Sequence, residues 1–290
     1  MGAVKNSGVF KGVAVNGQIV KGLVKNGVVF WRQQSYDVST QAIIDSANSK
    51  GYPLPVNLTP LDNFIRNLKT ISSGNFWEKR DSIFISSIIG NSVNYHGFRK
   101  LNLKNPSGQE RVFYGGLSLN SYGGIQGNGT NAYTDHVTLV NEYINFKQND
   151  AGLIVVKSLD ASGIIVAGLN SNSLSIILRG NLSTNVRLNT LTVTPSFDSG
   201  GFGTIGSSKN SISSQVCYNK AISANHTVTS LSVPANAVIQ EFRNSANTAV
   251  YYAIDSLITL IGASYTQEEF LQFRTYFNQY LVESGFSSIA

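Results

Sequence analysis

The sequence predicts a mostly β protein: a two-sheet antiparallel sandwich, with a small N-terminal β module, a few short helices and a C-terminal helix. Three observations carry this. Charged residues make up only 13% of the 290, about half the usual quarter, while 27 Gly, 36 Ser and 30 Asn supply polarity without charge. Helical bundles and coiled coils need Glu, Lys and Arg on their outer faces, so this composition argues against them. Short runs rich in β-branched and aromatic residues recur at near-even spacing, separated by Gly/Asn/Ser turns.

The first element is repetitive. Val4-Lys5-Asn6-Ser7-Gly8-Val9-Phe10-Lys11-Gly12 is echoed by Ala14-Val15-Asn16-Gly17-Gln18-Ile19-Val20-Lys21-Gly22. Val24-Lys25-Asn26-Gly27-Val28-Val29-Phe30-Trp31 follows, at a period of ten. Asn-Gly supplies two residues that tolerate positive φ, as a type I′ hairpin turn requires, so each repeat reads as two short strands. Strands this short in fewer than forty residues cannot enclose a core of their own. Residues 1–34 therefore either pack on the rest of the chain or attach it to other chains. The regularity favours attachment, with Phe10, Val15, Ile19, Val28, Phe30 and Trp31 as the candidate contact residues.

Residues 35–80 read as a helical connector. Ser39 or Thr40 can cap a helix carrying Ile43, Ile44 and Ala47, closed near Gly51. Thr59-Pro60 restarts a helix with Leu61, Phe64, Leu68 and Ile71 on one stripe, and Ser72-Ser73-Gly74 stops it. Residues 81–290 form the predicted sandwich. Strands are expected at 83–87, 111–119, 153–159, 164–169, 174–179, 186–194, 202–207, 214–219, 227–233, 237–242 and 251–260. Turns are expected at 170–173 and 198–201. Thr266 and Glu269 stand at capping-box spacing ahead of Phe270, Phe273 and Phe277, predicting a helix over 266–284 that Gly285 ends.

The same scarcity of charge limits chemistry. The net charge of +6 is spread thinly, so nucleic acid is not an expected partner. One Cys excludes an internal disulfide and a Cys-based zinc site. The three histidines, His96, His136 and His226, lack ligand spacing, so neither a zinc site nor a cofactor is expected; a calcium site could be built from Asp135, Asp150 or Asp160 with Asn side chains, and is left unassigned for want of a dense Asp/Asn loop. The apolar run at 83–89 is far too short for a membrane span, and the opening residues lack a signal peptide's apolar region. Glycoside hydrolysis needs two carboxylates across the scissile bond. The acids of the β region, Asp135, Glu142, Asp150, Asp160, Asp198, Glu241 and Asp255, are nearly solitary, so the expectation is a non-enzyme. Acids distant in sequence can converge, which leaves a hydrolase as an alternative. Sugar binding demands less: a ring to stack on and neutral hydrogen-bonding groups. Tyr122, Asn128, Asn131 and Tyr133, in and beside a Gly-rich loop, are the candidates, each also readable as an ordinary turn residue.

The order of features resembles a known class. Phe76-Trp77-Glu78-Lys79 leads to a first strand, followed by Phe98-Arg99-Lys100-Leu101-Asn102-Leu103-Lys104-Asn105-Pro106 and Gly127-Asn128-Gly129-Thr130-Asn131-Ala132-Tyr133. Gly201-Phe202-Gly203-Thr204-Ile205-Gly206-Ser207, Val216-Cys217-Tyr218-Asn219-Lys220, Ile258-Thr259-Leu260-Ile261-Gly262 and Thr266-Gln267-Glu268-Glu269-Phe270 complete the series. Over residues 55–284 this resembles tailed-bacteriophage virion proteins with a concanavalin A-like (laminin G-like) jelly-roll domain. Tyr218-Asn219-Lys220-Ala221 departs from the Tyr-Lys-Asn-Gly hairpin frequent in such proteins. The resemblance implies a tail fibre, spike or similar appendage located in the virion and released by lysis. It implies contacts with other virion proteins through residues 1–34, self-assembly as a homo-oligomer with a trimer favoured, and a sandwich facing host-surface glycans. A capsid decoration or head-fibre protein without receptor binding is the alternative. No catalytic residue is carried over.

Overall fold

The computed structural model describes residues 2–289 other than 7–8, 16–17, 21, 26–27, 33–34, 89–92, 160–162, 169–173, 180–182, 191–202, 220–221, 234, 236 and 245–249. The chain divides into two compact units, Met1–Asp37 and Val38–Ala290. In the first, β1 (Gly2–Asn6), β2 (Val9–Val15) and β3 (Gln18–Val20) form one antiparallel sheet in that order. A separate hairpin joins β4 (Gly22–Lys25) to β5 (Val28–Arg32). Asn6 pairs with Val9, Val15 with Gln18 and Lys25 with Val28, which leaves two residues at each connection, the length of a primed hairpin turn. The Asn16-Gly17 and Asn26-Gly27 turns themselves lie outside the described residues.

The second unit opens with α1 (Val38–Ser49) and α2 (Thr59–Leu68). Pro60 occupies the first turn of α2, where its missing N–H costs nothing. The cap expected at Thr59 falls one residue earlier, at Leu58, and Asn57 Oδ1 accepts from Thr59 N at 3.0 Å. Ser72 and Ser73 take positive φ, 50° and 55°, and so break the helical path before the short α3 (Asn75–Glu78).

The strands and helices that follow are β6 (Arg80–Ile85), α4 (His96–Arg99), β7 (Arg111–Tyr114), β8 (Ser118–Leu119), β9 (Ile125–Gln126), β10 (Tyr133–Leu139) and β11 (Ala151–Lys157). Next come β12 (Gly163–Gly168), β13 (Leu174–Arg179), β14 (Ser183–Leu188), β15 (Gly203–Lys209), β16 (Ser214–Asn219) and β17 (Ile222–Thr227). The series closes with β18 (Val238–Glu241), β19 (Arg243–Asn244), β20 (Val250–Tyr251), β21 (Asp255–Ser256), β22 (Ile258–Gly262) and α5 (Gln267–Glu283). The turns predicted at 170–173 and 198–201 lie outside the described residues.

Two six-stranded antiparallel sheets dominate: β14-β13-β12-β18-β10-β7 and β17-β16-β15-β11-β22-β6. Alternation along each strand sends one set of side chains between them. Leu153, Val155, Ile205, Cys217 and Ile261 of the second sheet, with Ile239 of the first, build that inner core. The intervening residues of the second sheet are buried too, against helices. A Cβ on Gly206 would stand 2.3 Å from the Tyr265 hydroxyl and 2.9 Å from the Phe270 ring, so the glycine lets α5 approach closely. Tyr218 stacks on Phe270 at 5.0 Å, and Phe64 of α2 meets Phe273, Phe277 and Tyr280 of α5 at 5.4–6.3 Å. The helical stretch expected at 35–80 thus packs on α5. Its apolar stripe has to be covered, and it is covered by α5 within the same compact unit, making a third layer.

Candidate functional site

The outer face of the first sheet carries the residues that fit a binding site. In β10, Thr134 and His136 point inward and are buried, so Tyr133 and Asp135 point outward. In β7 the same alternation buries Arg111 and leaves Tyr114 40% exposed. Tyr133 and Tyr114 are direct register partners, and their rings stack at 4.5 Å with only 10° between planes. Tyr251, on β20, places a third ring 5.8 Å from Tyr133. Its register partner on β19 is Arg243, whose guanidinium lies 4.6 Å from the Tyr133 ring centre and 5.6 Å from that of Tyr251.

One carboxylate borders these rings. Asp135 accepts a hydrogen bond from Gln240 Nε2. Burial pushes its acid group above the ordinary aspartate value, while that hydrogen bond and the nearby charge of Arg243 pull the other way. Burial, and next the charge of Asp135, raise the phenol of Tyr133, which remains a neutral donor at physiological pH.

Beneath this face a buried polar cluster fixes the strands. Glu241 of β18 accepts from Arg111 Nη1 at 2.9 Å, from Thr134 Oγ1 at 2.7 Å, from Ser256 Oγ at 3.3 Å and from Thr259 Oγ1. His136 Nε2 stands 3.8 Å from the same carboxylate, at ion-pair rather than hydrogen-bond range, with its ring 4.5 Å from Phe84. Arg111 also donates to Arg99 O at 3.0 Å and Ser86 Oγ at 2.5 Å. Burial alone would raise the acid group of Glu241, but the Arg111 charge, His136 and the Thr259 hydroxyl together hold it far below the ordinary range.

The residues predicted from sequence divide. Tyr133 is at the centre of the aromatic group. Asn128 is a builder of the adjoining loop: its Oδ1 accepts from the backbone N–H of Thr130, Asn131 and Ala132, each at 2.9 Å. Its Nδ2 donates to Gly115 O at 3.1 Å and Asn131 Oδ1 at 2.8 Å, so its side chain is fully used. Asn131 stands exposed on that loop. Gly115, at φ 69°, lets the loop close onto the end of β7, since a Cβ there would lie 2.1 Å from Asn131 O. Tyr122 belongs to another turn, organised by Asn120, and its ring partner is Phe286 at 6.2 Å. Of the attachment candidates, Phe10 and Val15 lie on β2, Ile19 on β3, and Val28, Phe30 and Trp31 on β5; their side chains lie outside what is described. Tyr114, Tyr251 and Arg243 were not foreseen as site residues, because only strand pairing brings them to Tyr133.

A mostly β, antiparallel sandwich with a C-terminal helix is thus the class of fold that holds this site. No protein-family model and no curated protein matches the chain. Among solved structures it is similar to the binding domain of botulinum neurotoxin DC in complex with rat synaptotagmin II, with TM-score 0.49 and 11% identity over 69% of this chain and 52% of that one. It is also similar to domain 4 of AbnA, a GH43 extracellular arabinanase from Geobacillus stearothermophilus, in complex with arabinotriose. There the TM-score is 0.43 and the identity 10%, over 67% of this chain and 98% of that one. A Trypanosoma rangeli sialidase matches with TM-score 0.41 and 8% identity over 71% of this chain and 33% of that one. The chain spans about half the length of the neurotoxin binding domain. At such identities these are likenesses of chain path.

Proposed function

We propose that the sandwich is a non-enzymatic sugar-binding domain whose ligand lies on the outer face of β7 and β10. The observation that carries this reading is the stacked Tyr114–Tyr133 pair, with Tyr251 and the polar groups of Arg243 and Asp135 around it. A sugar ring presents an apolar face and a rim of hydroxyls; aromatic rings cover the first and a few convergent polar groups orient the second. Glu241 and Asp255 are fully buried and already held by hydrogen bonds, which fits a structural role for these two carboxylates.

The wider reading is a tailed-phage appendage. In it, residues 1–34 attach the sandwich to other virion proteins and copies assemble, as a trimer, in the virion. The ten-residue repeats and the short strands that cannot enclose a core support that step. Glycan-array screening followed by calorimetry tests the sugar site. Tyr114→Ala should weaken the best ligand at least tenfold, about 1.4 kcal/mol, at an unchanged melting temperature. Absence of any glycan bound, or equal binding by the variant, would overturn the reading.

A further inference from the structure

Arg243 is placed by a strained backbone. Glu241 points inward to Arg111, and ordinary alternation would send Phe242 outward and Arg243 inward. Instead Phe242 takes φ 68°, in the left-handed region, and is fully buried in the inner core. Holding a bulky residue there is a strain that the surrounding structure must offset. Gly127 allows it: a Cβ at that position would lie 2.9 Å from Phe242 Cβ and 2.3 Å from Tyr252 O. The consequence is that the next residue leaves the interior and lies over Tyr133 and Tyr251.

Among the described residues, the contacts of the guanidinium are with the Tyr133 and Tyr251 rings. It is half-buried, and neither a hydrogen bond nor an ion pair joins it to any described residue; its buried Nε in particular has no acceptor. Asp135, the neighbouring carboxylate, is instead bonded to Gln240. A guanidinium carries five donors in a rigid fork that matches the two oxygens of a carboxylate. Rings on which a sugar would stack lie directly beside that fork.

We propose that the site selects acidic glycans, with Arg243 taking the ligand's carboxylate while the exposed ring of Tyr114 packs on the sugar and Asp135 accepts a hydroxyl. This deepens the sugar-binding reading and rests on it. The test is an array of matched pairs applied to the full chain, each acidic glycan beside the same glycan with its carboxylate reduced to the alcohol. Acidic members should bind at least tenfold more tightly, with a preference that shrinks as salt rises. Arg243→Gln should reduce that preference to within about twofold by weakening the acidic members far more than the neutral ones, and Arg243→Lys should keep part of it. Equal binding of both members, or a preference that survives Arg243→Gln, overturns the selection for acid and leaves sugar binding standing. Binding of neither member overturns both.

Discussion

At Glu241 one carboxylate is held by residues of four strands, and its energetics can be read directly. Arg111 and Glu241 are both fully buried, so neither charge has water to fall back on. Glu241→Gln leaves the Arg111 guanidinium buried without its counter-charge and should cost about 3–5 kcal/mol in denaturant unfolding. The pH dependence has a definite sign. The folded-state acid group of Glu241 lies below its ordinary 4.5, so its contribution is complete above that value and is lost as pH falls further. Asp255 acts oppositely, because burial raises its acid group despite hydrogen bonds from Ser158 and Leu159. Melting temperatures from pH 7 to 3 should therefore fall less steeply in Glu241→Gln than in the parent. None of this pairing was legible in the sequence, where Glu241 stands as a solitary acid and its partner lies 130 residues away. The site was legible only where it is local. The Gly/Asn loop and Tyr133 stand out by composition, whereas Tyr114, Arg243 and Tyr251 reach it through cross-strand register.

Helices were more legible than strands because their signals are contiguous. Thr266 Oγ1 accepts from Glu269 N at 3.2 Å and Glu269 Oε2 accepts from Thr266 N at 2.8 Å, the reciprocal box that the spacing predicts. Thr266→Ala should lower stability by about 1 kcal/mol, measured by chemical denaturation. Strand limits shifted where backbone geometry intervenes. The run predicted at 111–119 splits into β7 and β8 because Gly115 and Gly116 both take positive φ. The run predicted at 227–233 is instead β17, ending at Thr227, since its register partner β16 sets where it pairs. β10 was not among the predicted strands: Thr134, Asp135 and His136 give it little apolar alternation, and its inward residues are polar because they serve Glu241. The third layer escaped prediction for a similar reason. A stripe on α2 shows that a face is buried, and only the fold shows that α5 covers it.

At the scale of the molecule, the residues of the proposed sugar site all belong to the second compact unit, Val38–Ala290, and the repeats to the first. Removal of residues 1–34 should leave the thermal unfolding and glycan binding of the remainder unchanged while reducing the molar mass seen by light scattering to that of a monomer. A remainder that still self-assembles would place the contacts elsewhere. The sheet order carries a consequence for synthesis. β22 lies between β6 and β11, joining Ile83–Ile85 territory to the Leu153–Val156 segment only after residue 262 exists. At translation rates of about 5–20 residues per second, β6 waits roughly 10–35 s with its apolar edge unpaired. Nascent chains therefore pass through a long interval in which two of their most apolar strands are open to one another's counterparts on neighbouring ribosomes. Lowering the expression temperature should raise the soluble fraction of this chain, measured by fractionating lysates of cultures grown warm and cold.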